Sequence, residues 1–277
     1  MMKLFADYHT HTRYSHGTGT VEDNVLAARA RGLKQVAISD HGPASLFGVG
    51  VRNLATFGKI REEVRECNAR YPEIGVLTGV EANVIGADGA LDVPGPVLEE
   101  LDIVLAGLHV TVMPASLADG FKLGLLNALR SLDSRLGKLA RDLNTKALVE
   151  AVYRYPIDIV THPGLRLSID TRELARACAQ NGTAMEINTG HGQTTVEFIQ
   201  VAAAEGVDFA IGSDAHQPSR VGDLEAGLEL ALRAGLSPDR IINAVHAEDD
   251  LPGQLWRNLP HSPGRKPVPR RRNILRI

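Results

Sequence analysis

Two cysteines in 277 residues, Cys67 and Cys178, are too few for a disulfide framework, and both fall in helical-looking stretches. That scarcity points to a reducing, cytoplasmic setting. The first residues run straight into an apolar stretch ending in Asp and His, unlike a secretory leader. No apolar run reaches the roughly 18 residues of a spanning helix, which excludes a membrane protein of that kind. The net charge of -3 lacks the broad basic surface of a nucleic-acid-bound protein. Only the tail GRKPVPRRRNILRI (264–277) is basic. No GxGxxG follows the first apolar run, so the signature of a dinucleotide-binding sheet is missing as well.

What is present is a repeated alternation. Short apolar runs occur at KLFADYH (3–9), QVAISDH (35–41), IGVLTGVEAN (74–83), DIVLAGLHV (102–110), IDIVTHPG (157–164), TAMEINTG (183–190) and VDFAIGSDAH (207–216). They are apolar on both faces, as parallel strands covered on both sides are. Amphipathic stretches lie between them at 21–32, 57–72, 132–156, 171–182, 195–206 and 223–235. Gly32, Gly182, Gly206 and Gly235 mark helix stops. The link 84–101 is short and rich in Gly and Pro, whereas 111–156 is long enough for extra helix. A last helix is expected over 237–249, with Ser237 as its cap and Pro238 in its first turn. The pattern predicts an α/β fold, a distorted seven-stranded (β/α) barrel of the TIM type, with the open doubly wound sheet as its competitor. The barrel is expected over 1–250 and a basic tail over 251–277.

The histidines fall in a pattern of their own. His9 and His11 follow the first strand, His41 ends the second run, His109 the fourth and His162 the fifth; Asp214 and His216 end the seventh, and Glu81 ends the third. Only the sixth run finishes without a metal-competent side chain. In a parallel barrel all these ends meet at one rim, where active sites are built. A lone histidine in an apolar segment is ordinarily a satisfied core residue. Many imidazoles at ends of the same polarity are different, because neutral rings need partners and protonated ones repel. Bound cations resolve both problems. His9 and His11 are two apart, on one face of a strand, and can share an ion; Asp214 and His216 repeat that spacing. His16 lies in the following turn and is expected to serve a different ion. Nine candidate ligands exceed the four of a tetrahedral site, so two or three divalent ions (Zn, Mn or Fe) are expected, with Glu81 as the best-placed bridge.

The ordered motifs DYHTHT, His16, SDH, GVEAN, GLH, THPG and GSDAH resemble the PHP (polymerase and histidinol phosphatase) family from the first strand to about residue 223. The resemblance implies a trinuclear site. His9, His11, Glu81 and Asp214 would hold one ion; Glu81 would bridge to a second with His109 and His162; His16, His41 and His216 would hold the third. It also implies a phosphoesterase, most simply a phosphomonoesterase of the histidinol-phosphatase kind, that uses a metal-activated hydroxide on a small phosphorylated substrate. Glu81, Asp214 and Asp40 are the expected catalytic carboxylates, with Asp40 orienting a ligand imidazole. Candidate substrate contacts are Arg220, Asn188 and Arg13, with Arg52, Arg166 and His191 in neighbouring loops; His246 and His261 fall outside the rim. A nuclease or phosphodiesterase of the same family is one alternative. A metal-dependent amidohydrolase is another, although no lysine ends a strand to bridge ions as many of those enzymes require.

Overall fold

The computed structural model describes residues 2–247. The basic tail and the far end of the 237–249 segment lie outside the described residues, and so does the expected boundary at 250. Chain order runs β1 (Met2–Leu4), β2 (Ala6–Asp7), α1 (Val21–Ala30), β3 (Gln35–Ile38), α2 (Thr56–Arg70), β4 (Gly75–Asn83), α3 (Gly95–Leu98) and β5 (Ile103–Gly107). It continues through α4 (Leu117–Asp119), a π-helical turn (Gly120–Leu125), α5 (Leu126–Leu129), α6 (Ser134–Arg154), β6 (Ile159–Val160), α7 (Thr171–Asn181) and β7 (Ala184–Asn188). The last elements are α8 (Val196–Ala203), β8 (Phe209–Gly212), α9 (Glu225–Arg233) and β9 (Ala244–His246).

Seven strands, β2 to β8, pair in parallel in sequential order. Sequential order excludes the doubly wound sheet, whose order reverses at a switch point. The ends of the sheet meet. His11 N donates to Ala215 O at 2.8 Å and Ala215 N to His9 O at 3.2 Å. The expected barrel is therefore present. Its helices form as their caps dictate. Thr20 and Asp23 make a reciprocal capping box at α1, and Asp170 and Thr195 cap α7 and α8. The four expected glycine stops all take positive φ.

The 237–249 segment departs from expectation. It makes one 3-10 turn at Pro238–Arg240 and then β9, which pairs antiparallel with β1. The reason is the seam between β2 and β8. Asn243 Nδ2 donates to Ala6 O (2.7 Å) and Ile211 O (2.8 Å), and its Oδ1 accepts from Ile211 N (3.0 Å). A side-chain amide thus stands in for a strand where the barrel ends would otherwise leave backbone groups unpaired. Coiling the segment into a helix would withdraw it.

Higher in the seam lies Asp7, fully buried. It accepts from Ser213 Oγ (2.5 Å), Gly222 N (2.8 Å), Ser213 N (3.2 Å) and His9 N (3.3 Å). Burial pushes its carboxyl pKa up, against the pull of those bonds. Asp7→Ala strands several buried donors, so chemical denaturation should show a loss of about 3 kcal/mol.

Phe5, Tyr8, Ile103, Leu105, Ile159 and Ile242 fill the barrel floor. Two residues further along the inward face, the side chains become polar. Ala184 is followed on β7 by Glu186 and Asn188, and Ile159 by Thr161. A buried polar layer above an apolar floor persists only with partners.

Candidate metal centre

Glu81 stands at the centre of this layer, fully buried. Its two oxygens face different histidines. Oε1 accepts from Thr161 Oγ1 at 2.7 Å and lies 2.9 Å from His162 Nε2 and 3.2 Å from His109 Nε2. Oε2 lies 2.9 Å from His41 Nδ1, 3.2 Å from His9 Nε2 and 3.6 Å from His11 Nε2. Asp214 flanks the second group, with Oδ1 at 3.2 Å from His11 Nε2 and 3.5 Å from His9 Nε2. Four overlapping triads of ligand atoms result: His9–His11–Glu81, His9–His162–Asp214, His41–Glu81–His109 and His11–His41–His216.

The backbone is bent to reach this arrangement. His162 (φ 27°) and Asp214 (φ 52°) both have positive φ, uncommon without glycine and frequent at functional sites. Gly212 and Gly107 clear the space. A Cβ at Gly212 would stand 2.2 Å from Glu186 Oε1, and one at Gly107 would stand 3.2 Å from both His109 and His162 Cε1.

The donor set fits divalent ions. His9 Nε2, both nitrogens of His11, His41 Nδ1 and Glu81 Oε2 are buried without a hydrogen-bond partner. Orphaned polar atoms pointing at one another are costly unless a cation lies between them. Three rings are anchored by their other nitrogen: His9 Nδ1 on Glu186 Oε1 (2.7 Å), His16 Nδ1 on Val49 O (3.1 Å) and His216 Nδ1 on Asp214 O (2.8 Å). Such anchoring fixes the tautomer and aims the free nitrogen inward.

Electrostatics point the same way. Burial, joined by neighbouring imidazoles, lowers His11 well below the ordinary histidine range and His16 to about 4. Burial also takes His109 to about 4, although Glu81 resists it, and it lowers His216. These rings are neutral at pH 7, the form that binds metal. His9 is the opposite case: burial disfavours its charge, but Glu186, Asp214 and Glu81 outweigh burial and raise its pKa well above the usual value. Burial works against the charge of Glu81 and Asp214 too, and the surrounding histidines overcome it, holding both carboxyls well below their ordinary range.

Of the nine expected ligands, eight appear in the four triads. His16 stands beside them on the rim, with its ring centroid 4.0 Å from His216 and 5.0 Å from His41. The structure places the remaining expected site residues as follows. Asp40 orients no imidazole. It is buried, accepting from Thr12 N (2.7 Å), Thr12 Oγ1 (2.6 Å) and Ser15 Oγ (2.5 Å), and it fastens the turn that carries His16. Neither Arg13 nor Arg220 lines the mouth, and Arg220 pairs with Asp223 at 2.5 Å. Asn188 is buried and spends its amide on Glu186 (3.0 Å), Asp214 (3.2 Å) and His191 N (2.9 Å). Arg52 is exposed and also absent from the lining, where Arg166 is the one Arg or Lys among the described residues. His191 lies at the mouth, 3.2 Å from Asp214 Oδ2. His246 is away from it, 3.6 Å from Asp239.

Glu186 is the residue missed, and it lies on β7, formed by the sixth apolar run, the one expected to supply no metal ligand. Besides holding His9, its Oε2 accepts from His162 N at 2.7 Å. Outer partners of this kind govern metal affinity roughly 10–100-fold. Glu186→Gln should weaken ion retention by that factor when the protein competes with a chelator of known affinity.

Barrel and cluster together define the class: a metal-dependent hydrolase with its chemistry at the C-terminal ends of parallel strands. The family model of the PHP domain matches residues 7–261, and the chain belongs to that family of metal-dependent phosphoesterases. A probable phosphatase of Shewanella frigidimarina is 31% identical over 252 residues, 87% of this chain and 90% of that protein. One from Shewanella sediminis is 32% identical over 256 residues, again 87% and 90%. Among solved structures, the histidinol phosphate phosphatase of Lactococcus lactis, complexed with zinc, L-histidinol and phosphate, shares the fold. Its TM-score is 0.57 at 17% identity, covering 84% of this chain and 94% of that one. Among the described residues no helix is long and apolar enough to cross a membrane.

Proposed function

We propose that the chain hydrolyses phosphomonoesters of small molecules, with two or three divalent ions (zinc, manganese or iron) held by His9, His11, His16, His41, Glu81, His109, His162, Asp214 and His216. The division of the histidines between the two oxygens of Glu81 carries this reading, because a carboxylate so placed serves ions on both sides. Divalent ions held there would supply Lewis-acid charge, which lowers the pKa of water and neutralises phosphoryl oxygens. The chain's own groups do the rest. Glu186 and the Val49 carbonyl keep His9 and His16 oriented, Asp40 holds the turn below His16, and Arg166 offers a guanidinium to the phosphate at the rim.

The mouth is a cavity of about 250 Å³ with Arg166 as its lone Arg or Lys among the described residues, in keeping with a small ester rather than a nucleic-acid strand. The names of the relatives, probable phosphatases, agree with the reading. Cys67 and Cys178 are buried free thiols, as suits a cytoplasmic protein. Purified protein supplied with manganese or zinc should release phosphate from p-nitrophenyl phosphate and stop after chelation. Metal-loaded protein silent across a broad phosphomonoester panel would overturn the proposal.

A further inference from the structure

Beside the mouth lies a second cavity of about 190 Å³, and the two share Leu108, His109 and Val110 as walls. Among the described residues its lining contains no Lys, Arg, Asp or Glu. Val112, Leu123 and Leu167 supply much of the rest, and the π-helical turn at Gly120–Leu125 forms one side. Asn144 is the other polar side chain, and its amide is already used. Its Nδ2 donates to Asn127 Oδ1 (2.9 Å) and Ser168 O (3.0 Å), and its Oδ1 accepts from Asn127 Nδ2 (2.8 Å). Among the described residues His109 Nδ1 is the one unpartnered buried polar side-chain atom the walls offer.

Building on the phosphomonoesterase reading, we propose that this chamber receives the alcohol portion of the substrate and selects esters bearing one compact apolar group, an aromatic ring or a short branched chain. His109 is the junction. Its Nε2 faces Glu81 and His162 in the mouth while its ring borders the chamber. A phosphate held beside His109 and His162 in the mouth would have its ester oxygen within reach of the chamber entrance. The size suits one ring, since an apolar cavity of roughly 150 Å³ accepts benzene. The chemistry suits it as well. An apolar group leaves water for apolar walls, whereas a polyol would give up its hydration for one imidazole nitrogen. The device sits on the extra helical insert between β5 and α6, and π-turns often mark functional sites.

The test compares kcat/KM for 2-phenylethyl phosphate and glycerol 1-phosphate on metal-loaded enzyme. Both release primary alkyl alcohols, so aryl leaving ability does not enter. The parent should favour the phenylethyl ester by roughly 30-fold. Leu123→Trp, which fills the chamber, should reduce that ratio to about 3 or less, mostly through KM. Val112→Phe fills it from another wall and should act the same way if the tryptophan variant fails to fold. A parent with no preference, or with preference for the glycerol ester, overturns the inference and leaves the phosphomonoesterase reading standing. So does an unchanged ratio in a filled variant that melts with the parent. Metal-loaded parent that hydrolyses neither ester, nor any other phosphomonoester, overturns both.

Discussion

Glu81→Gln should abolish turnover and empty part of the metal centre in one step. Glutamine fits the same space, and its carbonyl oxygen can still accept from Thr161 Oγ1. Its amide nitrogen must then face His9, His11 and His41, where Glu81 Oε2 now lies. An NH₂ group is no ligand, and the net negative charge that offsets the bound cations is gone. The loss should exceed the roughly 10–100-fold that follows removal of an outer partner. Activity with saturating manganese and metal content after gel filtration check this together. Activity within tenfold of the parent would mean that Glu81 is a structural carboxylate, paired with protonated histidines.

Asp214→Asn should be as severe for turnover and much milder for the fold. Asp214 takes φ 52°, a conformation asparagine tolerates nearly as well as aspartate, so the backbone has no reason to move. Removing the charge strips Oδ1 of its role beside His9 and His11, and asparagine leaves those imidazoles with Glu81 but without the second anion they share. Turnover is expected to fall by more than about 10³-fold. The thermal midpoint of the metal-free protein should stay within a few degrees of the parent's. A collapse in stability with metal-free parent as the reference would show that the residue serves the barrel, not the reaction.

Most of the site was legible in the sequence because the barrel converts one local regularity into one location. Every apolar run but the sixth carries a ligand type at its C-terminal end, and parallel strands bring those ends together whatever their separation in sequence. The misreadings share a cause, namely side-chain direction. Asp40 precedes His41 directly, which invited a partnership. Successive residues of an extended chain point to opposite faces, so Asp40 turns away to Thr12 and Ser15. Glu186 looked like an unremarkable member of an apolar strand. The signal was a charged residue two positions from Asn188, on the same inward face, with no nearby cation in sequence to explain it. Arg13 and Arg220 leave the strands in loops whose course no periodicity describes. Arg166 faces the mouth because its own positive φ (57°) turns the chain after Pro163 and Gly164. The last helix failed for another reason. Its opening, Ser237 followed by Pro238, suited a helix start, and the competing gain, three hydrogen bonds made by the Asn243 side chain across the barrel seam, exists only once the barrel has closed.

Anomalous diffraction from crystals soaked in manganese tests the central claim most directly, because it locates ions without relying on turnover. The account predicts at least two peaks per chain, one beside Glu81 Oε1 with His109 and His162, and one beside Oε2 with His9, His11 and Asp214. A single peak, or peaks away from Glu81 in crystals of protein that hydrolyses phosphomonoesters, would contradict it.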